Sequence, residues 1–209
     1  MNEYRQGEHI CAVHESRDEQ LAVAAEYLAH GLLRGERCYY VAASTTAFED
    51  FHRALRLRGV DVERALESTA LVEATHAEAH LVDGRFDCER MISMLNRSVE
   101  QALNDGFLGL RTCGDMSWLI GDPPGAEHVV EYEALLNQFF HGARACGMCQ
   151  YDRHRLPPLL LDHALSTHSS AVVSRRHKKN PFYLMPSAAA GGTGQPANLV
   201  SKLEQLRKT

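Results

Sequence analysis

The sequence has no run of about 18 apolar residues, no glycine-rich phosphate loop, no second cysteine pair to complement its one CxxC, and one tryptophan in 209 residues. Each absence excludes something. Without an apolar run there is no membrane-spanning helix, and the polar stretch from Met1 to Gly7 does not read as a secretory signal. The expected location is the cytoplasm, where six cysteines read as free thiols rather than as a disulfide framework. Lysine and arginine number 22 against 27 acidic residues, a net charge of −5, and no basic block precedes the C-terminal end. Direct nucleic-acid binding is therefore not expected. The turn after the first strand reads His14-Glu-Ser-Arg-Asp18, with no glycine and no Lys-Ser/Thr pair. Its amides cannot easily wrap a phosphate, and Glu15 and Asp18 would repel one, so ATP chemistry by a P-loop is not expected. No serine sits in a nucleophile-elbow signature, and the expectation is a protein that is not an enzyme.

What is present is an ordinary globular composition, 44% hydrophobic and 23% charged, enough for a core without disulfide or metal. Apolar runs at His9–Val13, Cys38–Ala43, Ala70–Ala74, Phe107–Thr112 and Ala145–Tyr151 read as strands. Between them lie segments with 3–4 apolar spacing, such as Gln20–Arg34, Cys88–Asn104 and Glu127–His141, that read as helices. Ala171–Val173 and Phe182–Leu184 are candidates for a last strand or hairpin. Continuous apolar strands with long crossovers predict an α/β three-layer sandwich around a mostly parallel central sheet. Ser187–Ala197 is a small-residue linker, and Asn198–Lys208 carries leucines at helical spacing, a short helix that either docks or pairs two chains into a homodimer.

In such a sheet ligands bind at the carboxyl ends of the strands. That rule selects His14–Asp18, Ser44–Thr46, Thr75–His80, Cys113–Trp118 and Tyr151–His154. The segment Cys113-Gly-Asp-Met-Ser-Trp118 brings a carboxylate, a hydroxyl and the single tryptophan to that end, against the plainer reading of a loop whose indole plugs the core. His9 and Cys11 are two apart on one strand and share a face. With Cys113 and Cys149 from other strands they are candidates for a metal site, against the plainer reading of Cys11 as a small buried hydrophobe. Cys146-Gly-Met-Cys149 enters a strand rather than opening a helix, which argues against a thioredoxin-like pair. The remaining histidines, His30, His52, His128, His141 and His177 among them, read as mostly solvated.

Several segments together resemble a known family. His9-Ile-Cys11, Gly31-Leu-Leu-Arg-Gly-Glu-Arg-Cys-Tyr-Tyr-Val41, Asp83-Gly-Arg-Phe-Asp87, Gly114-Asp-Met-Ser-Trp118, Glu131-Tyr-Glu133, Cys149-Gln-Tyr-Asp152 and Asn180-Pro-Phe-Tyr183 are similar, in order, to the MEDS (methanogen/methylotroph sensory) family. The resemblance, over about residues 7–186, implies a RecA/KaiC-like fold without its phosphate loop, so the expected organisation is a sensory domain over 1–186 followed by the linker over 187–197 and the C-terminal helix over 198–209. It also implies a role in sensing small hydrocarbon derivatives, with histidine kinase, anti-sigma or transcription-regulator modules as partners. The family's histidine and cysteine positions match His9, Cys11 and Cys149. Asp115 stands where glutamate is expected, and Cys113 and Cys146 are extras. The resulting expectation is a largely apolar ligand walled by Met116, Trp118 and Tyr151 and oriented by Asp115, Asp152 and His9 or His14. Cys11, Cys113 and Cys149 lie beside it, or His9, Cys11 and Cys149 hold a metal. The competing expectation is a thiol-based redox or metal-responsive switch using Cys11, Cys146 and Cys149; a weaker one is an acidic interaction surface.

Overall fold

The computed structural model describes residues 4–184 and 199–208. Strands β1 (His9–His14), β2 (Arg37–Ala42), β3 (Leu71–Thr75), β4 (Leu110–Asp115), β5 (Ala145–Asp152), β6 (Ser170–Val173) and β7 (Arg176–Lys179) form one sheet. Helices α1 (Arg17–Leu33), α2 (Thr46–Arg56), α3 (Val62–Glu67), α4 (Cys88–Asn104), α5 (Val129–Gly142) and α6 (Pro158–Thr167) cover it, and α7 (Leu199–Lys208) ends the described chain. The strand order is β3-β2-β4-β5-β1-β6-β7, with every pair parallel except β6–β7. The α/β class and the mostly parallel sheet are as the sequence predicts. No described helix is long and apolar enough to cross a membrane. The expected linker at 187–197 lies outside the described residues.

Side chains alternate between the two faces of each strand, and the two cores follow that parity. Ile10, Ala12, Cys38, Tyr40, Cys113, Cys146 and Met148 pack with residues of α1, α2 and α3. Cys11, Val13, Leu110, Cys149, Tyr151 and Ala171 pack with residues of α4, α5, α6 and α7. Helix starts are fixed locally: the Ser16 side chain accepts from the Glu19 N–H, and Asp87 from the Arg90 N–H, which satisfies donors that each first turn leaves open.

Two strand boundaries differ from the sequence reading. The fourth strand begins at Leu110 because Phe107 and Leu108 close off α4 instead: Phe107 N–H donates to Ala102 and Leu108 N–H to Gly35. The last strand is Arg176–Lys179 rather than Phe182–Leu184. It is a polar edge strand, turned from β6 through Ser174 and Arg175, both at positive φ (51° and 63°), as a tight hairpin requires. No apolar run marks it.

The C-terminal helix docks on its own domain. Leu203 and Leu206 are buried, Lys202 Nζ lies 2.5 Å from Asp162 Oδ1, and Lys178 Nζ donates to the Leu206 carbonyl. Arg207 is ion-paired with Glu15, in the turn after β1, which also pairs with Arg153.

One charge lies wholly inside the molecule. Arg111 on β4 is 0% exposed; its Nε donates to Glu36 Oε2 at 2.6 Å, and its guanidinium lies 4.6 Å from the centre of the Tyr27 ring. Gly31 on α1 leaves room for it, since a Cβ there would sit 2.5 Å from Arg111 Nε and 2.8 Å from Cys38 Sγ. Gly31→Ala should therefore cost about 1–3 kcal/mol through overpacking, although alanine favours a helix by about 1 kcal/mol over glycine. Urea denaturation measures the net loss; a variant more stable than the parent would contradict this packing.

Candidate functional site

The carboxyl ends of β1, β2, β4 and β5 meet the starts of α1 and α2 around a cleft of about 470 Å³. His14, Asp115 and Asp152 are the last residues of three of those strands, and all have the parity of the α1–α3 face. Arg17, Gln20, Ser44, Asp50, Ser117 and Arg155 complete much of the wall. Four of the five loops selected from the sequence thus reach it; Thr75–His80 does not.

The walls are polar and largely preset by the backbone. Asp115 accepts the Ser117 N–H, and Asp152 accepts the N–H groups of His154 and Arg155. Arg17 donates to Gln20. His14 is 4% exposed, and neither ring nitrogen has a hydrogen-bond partner among the described residues. Burial lowers its pKa against the opposing pull of Asp152 and Asp115, so the ring is neutral near pH 7 and offers one donor and one acceptor. In the β1–α1 turn the Ser16 hydroxyl holds the Glu19 N–H and the Glu19 carboxylate holds the Glu15 N–H. Amides that a phosphate would use are already engaged.

The other expected ligand contacts lie elsewhere. Trp118 is 3% exposed and stacks on Phe86 (ring centroids 4.5 Å apart) and His80 (5.2 Å), so it plugs the core and does not wall the cleft. Met116 and Cys149 line a separate, small void of about 40 Å³ with Met91, Tyr132 and Phe140. That void has room for only a few atoms, given that one water needs roughly 10–15 Å³. Cys113 belongs to the α1–α3 core and Cys11 to the opposite one. Tyr151 donates to Glu133 Oε1 at 2.8 Å, inside the α4–α7 core. One expected apolar pocket is thus divided between the two faces of the sheet, because odd and even positions of β5 point opposite ways.

The same parity corrects the redox pairing. Cys146 and Cys149 are three apart in a strand and lie in different cores, so no disulfide can join them while β5 is formed. Cys11 and Cys149 are register partners, but burial raises both thiols well above the ordinary cysteine range, with Glu133 raising them further. Such thiols are poor nucleophiles. Among the histidines expected in solvent, His30, His52 and His177 are instead partly buried, and His52 lies 2.8 Å from Glu73.

His9 and Cys149 do come together, without Cys11 and with two residues that the sequence did not single out as ligands. His9, Glu133, Cys149 and His168 each direct one donor atom into a region where all four lie within 4.8 Å of one another, and all are buried. Glu133 falls within one of the segments carrying the resemblance, but only the packing of α5 against β1 and β5 gives it a partner. His168, between α6 and β6, carries no local signal at all.

This strand order, with helices on both faces and a polar cleft at the strand ends, defines an α/β sandwich of the RecA/KaiC-like class. Its fold is similar to a KaiC-like protein, PH0186, from the hyperthermophilic archaeon Pyrococcus horikoshii OT3, with a TM-score of 0.53 and 12% identity over 79% of this chain and 70% of that one. The family model described as MEDS, the MEthanogen/methylotroph, DcmR Sensory domain, matches residues 8–169, and the chain belongs to that family. No curated protein matches it. The family gives the chain a sensory role.

Proposed function

We propose that this sensory domain binds a small polar hydrocarbon derivative, an alcohol, amine or diol, in the cleft at the strand carboxyl ends, and acts as a non-catalytic switch for a separate protein partner. The observation that carries this reading is the unpartnered, buried imidazole of His14 in a wall that also holds carboxylates and guanidinium groups. A buried polar group without a partner costs about 1–3 kcal/mol, which a ligand with its own donor and acceptor recovers. A purely apolar molecule would leave the cost standing and would desolvate Asp115 and Asp152 as well. A phosphate would face Asp50, Asp115 and Asp152. The volume lies within the usual range for small-ligand sites. Six free cysteines fit a cytoplasmic setting.

Output follows from Glu15. It adjoins His14, and it pairs with Arg207 of α7 and with Arg153 beyond β5. A ligand that moves the β1–α1 turn changes the hold on the C-terminal helix, and a kinase, anti-sigma factor or transcription regulator that recognises α7 would read the difference. The ligand must favour one of the two states to shift their balance.

Thermal-shift titration against methanol, methylamine, ethanolamine, ethylene glycol and propanediol tests the reading. At least one should raise the melting temperature of the parent protein, and His14→Ala should weaken that ligand at least roughly tenfold, the loss expected from removing one buried hydrogen bond. No shift with any member, or an equal shift in His14→Ala, would overturn it.

A further inference from the structure

The four-residue cluster lies in the other core, and its chemistry is independent of the cleft. Its hydrogen bonds fix the proton positions. His168 Nδ1 lies 2.7 Å from the Ala164 carbonyl, which can only accept, so Nδ1 carries the proton. Asn137 Nδ2 donates to the Thr167 carbonyl at 2.7 Å, which turns Oδ1 toward His9 Nδ1 at 3.1 Å, so that nitrogen is also a donor. In the neutral rings both Nε2 atoms are therefore bare lone pairs. They point at the same carboxylate oxygen: Glu133 Oε2 is 3.3 Å from His9 Nε2 and 3.2 Å from His168 Nε2. The other carboxylate oxygen is held by the Tyr151 hydroxyl. Cys149 Sγ lies 3.6 Å from His9 Nε2.

Three acceptors thus converge at hydrogen-bond distance, and of these His9 Nε2 alone faces a donor, the weak Cys149 thiol at 3.6 Å. Glu133 Oε2 and His168 Nε2 are buried without a hydrogen-bond partner among the described residues. An ionised Glu133 sets its oxygen against the His168 lone pair, and without a cation only a proton on Glu133 would relieve that. A cation satisfies all of them together.

We propose that His9, Glu133, Cys149 and His168 bind a single divalent transition-metal ion, with zinc the best fit. In a tetrahedral site with bonds of about 2.0–2.3 Å, neighbouring ligand atoms lie roughly 3.3–3.6 Å apart, which is the spacing of the three close contacts here. The Cys149 thiolate and the Glu133 carboxylate together neutralise a 2+ ion, and the two imidazoles stay neutral, so the buried group carries no net charge. On binding, the Cys149 thiol releases its proton to solvent as the metal–sulfur bond forms. The outer hydrogen bonds are those that orient metal-binding histidines elsewhere: each Nδ1–H is held by a carbonyl oxygen, from the backbone or from an amide side chain. A groove lined by Gly7, His9, Asn137, His141 and Ser169 leads to the His9 side of the cluster. All four ligands come from the protein, which makes the site structural in type. It ties β1, β5, α5 and the α6–β6 junction together.

The test is metal analysis of the full chain, purified without an affinity tag that binds metal and dialysed against zinc and then buffer. About one zinc per chain is expected, and cobalt in its place should give a thiolate charge-transfer band and the intense visible bands of a tetrahedral site. Cys149→Ser should remove the charge-transfer band. Glu133→Gln provides the folded control, because its amide keeps an oxygen for Tyr151 and supplies N–H donors to the imidazoles. It should fold normally and lose at least about 100-fold in zinc affinity. Less than a tenth of an equivalent of zinc in the parent protein, or a cobalt spectrum unchanged in Cys149→Ser, would overturn the proposal.

Discussion

Glu36→Ala should lower the stability of the domain by about 3–5 kcal/mol, because it leaves the Arg111 guanidinium charged, buried and unpaired. For a chain of this size that is a fall of roughly 10 °C in melting temperature. The cause is desolvation rather than loss of one hydrogen bond. Arg111 Nη1 and Nη2 have no hydrogen-bond partner among the described residues, so Glu36 and the faces of Tyr27 and Tyr4 are what offset its burial. The double variant Glu36→Ala/Arg111→Met should recover most of the loss, since a buried ion pair is often no more stabilising than apolar side chains of similar volume. Calorimetry on the two variants decides this. A double variant as unstable as Glu36→Ala would show that the cost lies in the cavity and not in the charge.

The second large effect concerns pH in chelator-treated protein. Burial pushes the Glu133 carboxyl up to about 7, with the Tyr151 hydrogen bond opposing the rise. The folded state therefore binds a proton more tightly than the unfolded chain. The resulting stability is fully present below the ordinary carboxyl range near 4.5 and is lost as pH rises to about 7. His9 behaves oppositely: burial lowers it to about 4, against the hydrogen bond to Asn137, so stability is gained as pH rises from about 4 through 6.5. His168, lowered by burial and by His9, adds to that gain. The Glu133 and His9 shifts are each worth on the order of 3 kcal/mol and offset one another between pH 4.5 and 6.5, which leaves the gain from His168 in the parent protein. Glu133→Gln removes the loss and leaves the gain. The stability of the parent relative to Glu133→Gln should fall by about 3 kcal/mol between pH 4.5 and 7, measured by urea denaturation at the two values; parallel pH profiles would contradict the assignment.

How far the sequence carries can be judged from particular residues. The apolar runs at His9, Cys38, Ala70 and Ala145 mark strands because a parallel sheet covered on both faces needs apolar side chains at nearly every position. The rule for strand carboxyl ends then finds His14, Asp115 and Asp152 together, since the three close β1, β4 and β5. The polar strand β7 escapes because an edge strand needs no apolar pattern. The division of the ligand contacts between two cores is written in the odd and even numbering of β5, where Cys149 and Tyr151 oppose Cys146 and Asp152. The four-residue cluster is legible only in part. His9 and Cys149 carry a signal, whereas Glu133 looks like one of several glutamates on a helix and His168 like a loop histidine. What makes them ligands is the packing of α5 and α6 against β1 and β5, a long-range property that no local pattern encodes.

The most direct test of the sensory account is hydrogen–deuterium exchange of the full chain with and without the alcohol, amine and diol panel at saturating concentration. The account predicts protection in peptides covering 14–20 and 150–156, accompanied by altered exchange in 199–208 as the Glu15–Arg207 contact responds. Protection confined to residues 91–95 and 132–140, around the small void, or no change in 199–208 while the cleft is occupied, would contradict it.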